Sequence, residues 1–223
     1  MANTSSPAPT GLIYDINSIT KIFTWAQGKR AEIERAFNMK GGWEGWLQVE
    51  LALCLEGNPS LLGFSSVETV EREQHVYNND RDAVDLLVGT SHAVPNRPTT
   101  RTRHMIELKC ESVNQDCRLN SSNQVVVRNA YRGPNSTGQL IPAFAKRMEV
   151  EAGRMNSVTA HYRPCQYTVI GISVTEAARD FVMQEKARDP SYFSYLTPQQ
   201  VFGNRARPND YFVMWFKSGY IPS

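Results

Sequence analysis

Apolar residues recur along this chain with two different periods. Between residues 12 and 37 they fall at helical spacing, at Ile19, Ile22, Phe23, Ala26, Ile33 and Phe37, with Lys29, Arg30, Glu32, Glu34 and Arg35 on the opposite side. That pattern predicts an amphipathic helix, capped by Asn17 or Ser18 and interruptible at Gly28. Residues 41–57 (GGWEGWLQVELALCLEG) predict a second helix, apolar on nearly every side and so packed inside a domain. Glu50 lies within it, and its helical neighbours Trp46, Leu47, Leu53 and Cys54 make it a carboxylate on an apolar stripe. Glu44 stands on a different face, beside two glycines, and is the weaker candidate.

The period then shortens. Residues 67–77 (VETVEREQHVY) predict a strand of mixed polarity at the outside of a sheet. Residues 82–89 (DAVDLLVG) and 103–112 (RHMIELKCES) predict two more, joined by a polar, Pro-containing loop. Alternation along a strand puts Asp85 on one face with Ala83 and Leu87, and Glu107 on one face with Met105 and Lys109. The flanking residues are apolar, and a buried charge costs several kcal/mol unless it is paired or binds a metal. Three ionisable groups in two such strands therefore mark either an internal ion pair or a site. Further on, residues 113–138 are rich in Asn, Ser, Gly and Gln, with one short strand signal at 125–127. A helix is predicted over 140–155, a buried strand over 166–174, a helix over 176–186, and a docked last strand or helix at 211–216.

Composition narrows the classes. At 223 residues and 41% hydrophobic content the chain is long enough for one full core, and 24 Lys plus Arg against 22 Asp plus Glu give no global basic character. Any nucleic-acid surface must be local; Arg97, Arg101 and Arg103, in and after the long loop, are the candidates there, since arginine forks suit phosphate oxygens. No apolar run approaches the roughly 20 residues of a membrane helix, and the N-terminal stretch lacks the features of a signal peptide. The expectation is an intracellular protein, cytoplasmic or nuclear, with a disordered lead at 1–10 and a single domain over 11–223. Cys54, Cys110, Cys117 and Cys165 have no CxxC spacing and read as reduced structural thiols. Phosphate-loop, serine-hydrolase and zincin motifs are absent.

The order of elements, a helix carrying Glu50, three strands, a helix, a strand and a helix, predicts an α/β three-layer sandwich with a central mixed β-sheet flanked by helices. Glu50, Asp85 and Glu107-Leu108-Lys109 then match, in type, order and element, a known pattern. The chain resembles the PD-(D/E)xK nuclease superfamily, the restriction-endonuclease-like fold, over about 41–174, leaving 175–223 as an extension. The proline of the motif is replaced by Val84. The resemblance implies a metal-dependent nuclease acting on DNA or RNA, with Mg²⁺ or Mn²⁺ held by Asp85, Glu107 and Glu50 and with Lys109 as the catalytic lysine. It implies an assisting polar residue on the helix after the third strand, where Gln139, Lys146 and Arg147 are candidates, the last two also as nucleic-acid contacts. A toxin or effector nuclease and a processing nuclease both fit. A non-catalytic nucleic-acid-binding or protein-interaction scaffold on the same fold is the alternative.

Overall fold

The computed structural model describes residues 16–39, 42–62, 67–79, 81–92, 100–122, 124–132, 140–207 and 210–223. Three helices come first: α1 (Ile16–Gly28), α2 (Arg30–Phe37) and α3 (Glu44–Gly57). The amphipathic stretch before residue 37 is interrupted where the sequence allows it, at Gly28, and forms two helices separated between Gly28 and Arg30, since glycine is a poor helix former. Strands β1 (Thr69–Gln74), β2 (Val84–His92) and β3 (Thr100–Cys110) follow. The polar segment then folds into α4 (Val113–Asp116), β4 (Cys117–Leu119), β5 (Val125–Val127) and β6 (Asn129–Tyr131), and β7 (Leu140–Pro142) leads into α5 (Ala143–Arg154). The sequence pattern places 140–142 in the helix. Pro142 instead takes its N-cap position, where a missing N–H costs nothing. The chain ends with β8 (Cys165–Ser173), α6 (Glu176–Arg188), β9 (Ser194–Leu196), α7 (Pro198–Phe202) and β10 (Val213–Ile221).

Six strands form one mixed sheet in the order β1-β2-β3-β8-β10-β9, in which β3 and β8 run parallel and every other pair antiparallel. Helix α5 is the crossover that the parallel pair requires. The sheet does not stop at residue 174, because the extension threads β10 between β8 and β9.

Both faces of the sheet are covered. On one, Leu86, Val88, Ile106, Leu108 and Ile170 meet Phe23 of α1, Ile33 of α2, and Leu47, Leu51 and Leu55 of α3. On the other, Leu87, Met105, Val169 and Trp215 meet Phe144 and Met148 of α5 and Val182 of α6. Each such buried side chain contributes about 1.5–3 kcal/mol relative to exposure. Gly171 of β8 sits opposite Lys109 of β3, and a Cβ there would lie 2.5 Å from Met148 Sδ and 3.0 Å from Phe144 Cζ. The bare backbone lets α5 approach the sheet closely beside Lys109. No helix among the described residues is long and apolar enough to cross a membrane.

Candidate active site

The β2–β3 ladder runs from His92 opposite Thr100 to Leu86 opposite Ile106, and then ends. Asp85 lies one residue before that last rung and Glu107 one residue after it, so both stand where the strands part. The N–H of Leu108 donates to Asp85 Oδ2 at 2.6 Å, so the carboxylate takes a backbone donor left over by the divergence. Gln48 of α3 donates to Asp85 Oδ1 at 3.1 Å and to its carbonyl at 3.0 Å, and Arg72 of β1 donates to Gln48 Oε1 at 2.6 Å. Across β1, Glu73 has a positive φ of 54°, a conformation side chains rarely adopt, between rungs at Arg72 and Gln74.

Lys109 is the hub of the cluster. Its ammonium lies 3.0 Å from Glu44 Oε1, 3.5 Å from Glu107 Oε1, 3.7 Å from Glu151 Oε1 and 4.0 Å from Asp85 Oδ2, and it donates to Leu108 O at 2.8 Å. Glu44 comes from the first turn of α3 and Glu151 from α5. Arg154 pairs with Glu151 at 2.8 Å and with Asp82 at 3.4 Å. The Tyr77 hydroxyl donates to Glu107 Oε2 at 3.4 Å.

Charge is crowded here, and the carboxyl groups respond. Burial, then the neighbouring Asp85 and Glu151, push the Glu107 carboxyl up to about 9, against the opposing pull of Lys109; in its protonated form it donates to Glu151. Burial raises Asp85 to about 6, with Lys109 and the Leu108 N–H holding it back. Lys109 is itself held above the ordinary lysine value, because Glu44, Asp85, Glu107 and Glu151 together outweigh its desolvation.

Of the sequence candidates, Asp85, Glu107 and Lys109 converge. Glu50 does not: its carboxylate pairs with Lys29, which lies over the rings of Trp25 and Trp46. Beside Glu50, Leu53 is 59% exposed and Trp46 and Cys54 are only partly buried, while Leu47, Gln48, Leu51 and Leu55 are buried toward the sheet. Apolar residues all round the helix mask which face is inner, and the face turned to the cluster carries Glu44 rather than Glu50. A signal existed in Glu44 and Gln48, polar residues four apart and in line with Leu51 and Leu55. Glu151 was likewise missed, although it continues the apolar face of Phe144 and Met148.

Arg101 and Arg103 share the face of Glu107 but stand about 20 and 13 Å from it at strand rise. They line an open groove with Glu68, Glu71 and Leu87, separated from the cluster by buried Met105. Arg101 lies 3.5 Å from Glu68, and Arg103 donates to the His161 carbonyl at 2.9 Å. Arg147 points into the cluster rather than to solvent, where it bonds Glu44 and Asp116. Lys146, half-buried on α5, makes none of the cluster contacts among the described residues. Arg97 and Gln139 lie outside the described residues.

Among the described residues no group of three or more His, Cys, Asp or Glu side chains is placed to hold a metal ion. Mg²⁺ does not require one: it keeps several waters and takes one or two carboxylates. Asp85 and Glu107 supply hard oxygen ligands of that number; burial raises the proton affinity of both, Asp85 raises that of Glu107 further, and a divalent cation would offset both effects. The donor set fits such an ion. No family model, no curated protein and no solved structure matches the chain.

Proposed function

We propose that the chain is a metal-dependent nuclease of the restriction-endonuclease-like fold, hydrolysing phosphodiester bonds of DNA or RNA. The observation that carries this reading is the convergence of Asp85, Glu107 and Lys109 at the point where β2 and β3 part, on a mixed sheet with a carboxylate from α3 beside them. A divalent cation bound to Asp85 and Glu107 would polarise a phosphoryl oxygen and lower the pKa of its bound water.

The chain's own groups have separable parts in this scheme. Gln48 and the Leu108 N–H fix both oxygens of Asp85, so the ligand is oriented in advance. Lys109 is already protonated at neutral pH and so has no lone pair with which to take a proton from water. It acts as a donor that orients the attacking water and offsets the negative charge growing on the phosphoryl group. Glu44 holds that ammonium in place.

The scaffold without catalysis is the second reading. It is favoured by one feature: Glu44 and Glu151 are already paired with Lys109, Arg147 and Arg154. Thermal unfolding with and without Mn²⁺, beside cleavage assays on single- and double-stranded DNA and RNA, separates the two. The nuclease reading expects Mn²⁺ to raise the midpoint of the wild type but not of Asp85→Ala, and expects cleavage that Lys109→Ala loses. Folded wild type that neither shifts with metal nor cuts any of these substrates would overturn it.

A further inference from the structure

We propose that Arg147 is a positioning residue, which sets the ammonium of Lys109 through Glu44 and is itself held by Asp116. As an account of catalysis this rests on the nuclease reading; as an account of how Lys109 is held it does not.

The contacts form an unbroken chain. Arg147 Nη1 donates to Asp116 Oδ2 at 2.8 Å and to the Cys110 carbonyl at 3.3 Å, and its Nη2 donates to Glu44 Oε2 at 3.0 Å. Glu44 Oε2 also accepts the Cys110 N–H at 3.1 Å, leaving Oε1 for Lys109 at 3.0 Å. One guanidinium therefore clamps both the carboxylate and the backbone at the end of β3. Its planar fork makes these bonds at once, which a lysine in its place would not do.

Asp116 is a fixed anchor. It is fully buried, accepts the Ser112 N–H at 3.0 Å, and its carbonyl takes the Arg128 N–H at 2.7 Å. Arg128 Nε donates in turn to the Cys117 carbonyl, across the β4–β5 pair. The polar segment after β3 thereby carries the carboxylate that orients Arg147, which gives that segment a part in the site.

Glu44 is about a third exposed and has water as an alternative partner. Without Arg147 it loses a tether, and Lys109 is drawn toward its remaining partners, the Leu108 carbonyl at 2.8 Å, Glu107 at 3.5 Å, Glu151 at 3.7 Å and Asp85 at 4.0 Å. Displacement of a reacting group by about 1 Å can cost about 100-fold in rate. Three of the five Arg147 N–H donors are engaged in these contacts, and they turn the fork into the cluster rather than toward solvent.

The test uses the full chain with Arg147→Lys, Arg147→Ala, Glu44→Gln and the Arg147→Lys/Glu44→Gln double variant. In Mn²⁺-dependent cleavage, Arg147→Lys should lower kcat by about 10- to 100-fold with KM within about threefold. The double variant should be no slower than the worse single one, since the two residues act in series. A raised KM with unchanged kcat, and a shallower salt dependence of binding, would make Arg147 a phosphate contact and overturn the proposal. A second readout needs no cleavage: the acetylation rate of Lys109 by acetic anhydride, measured by mass spectrometry relative to Lys186. Arg147→Lys and Glu44→Gln should change that ratio alike, by about threefold or more; an unchanged ratio in folded protein overturns the tether. If no form cleaves nucleic acid while the ratio changes, the nuclease reading fails and the tether stands.

Discussion

Glu107→Gln isolates the cost of charging a buried carboxyl group. In the folded chain Glu107 is 2% exposed and its proton affinity is raised from 4.5 to about 9 by burial, Asp85 and Glu151. Lys109 of β3, Asp85 of β2, Glu151 of α5 and Tyr77 face it. A carboxyl with a raised folded pKa contributes fully below the unfolded value, and that contribution is lost as pH rises towards the folded value. The metal-free protein should therefore lose stability between about pH 4.5 and pH 9. One excess proton bound by the native state lowers stability by about 1.4 kcal/mol per pH unit, so going from about pH 5.5 to 8.5 costs at most about 4 kcal/mol. Coupling to Asp85, itself raised to about 6, reduces the expectation to about 2–3 kcal/mol.

Glutamine keeps the shape and an acceptor for Tyr77 but carries no ionisable proton. At about pH 8.5 in EDTA, Glu107→Gln should be more stable than wild type by that amount, or about 5–10 °C in midpoint for a chain of this size. Near pH 5.5 the two should be within about 1 kcal/mol. Urea and thermal unfolding followed by circular dichroism at both pH values read this directly. A wild-type midpoint that rises across the window, or a glutamine variant with the wild-type pH dependence, would show that Glu107 does not carry the buried proton.

Other perturbations test the remaining contacts. Glu50→Gln should leave Mn²⁺-dependent cleavage within about twofold of wild type and stability within about 1 kcal/mol, because its partly exposed pair with Lys29 is outside the cluster; a large loss of cleavage would restore Glu50 to the site. Gly171→Val should lower stability in urea unfolding by about 1–3 kcal/mol or more by forcing Met148 and Phe144 away from the sheet, and cleavage should fall with it. Glu111→Ala should cost about 3 kcal/mol in the same assay: that fully buried carboxylate accepts the N–H groups of Val174 and Thr175 and the Thr175 hydroxyl, which would lose their partner. A change under about 1 kcal/mol would mean that another group takes those donors.

Local pattern determined the helices, the three-strand run and the face relations within each strand, because side-chain alternation and helical periodicity are properties of neighbouring residues. It was enough to put Glu107 and Lys109 on one face, and to single out Asp85 as a charge in an apolar strand. Tertiary structure decided what lies across from them. Whether Glu44 or Glu50 joins Lys109 depends on which apolar side of α3 lies against β3, and both sides of that helix are apolar. Glu151 and Arg147 reach the cluster only because α5 lies close over Gly171. The place of β10 in the sheet follows from its pairing with β8 along its whole length, from Val213 opposite Ser173 to Ile221 opposite Cys165. Such pairings join residues far apart in the chain, and their partners are chosen by burial and backbone hydrogen bonding across the folded sheet rather than by any local pattern.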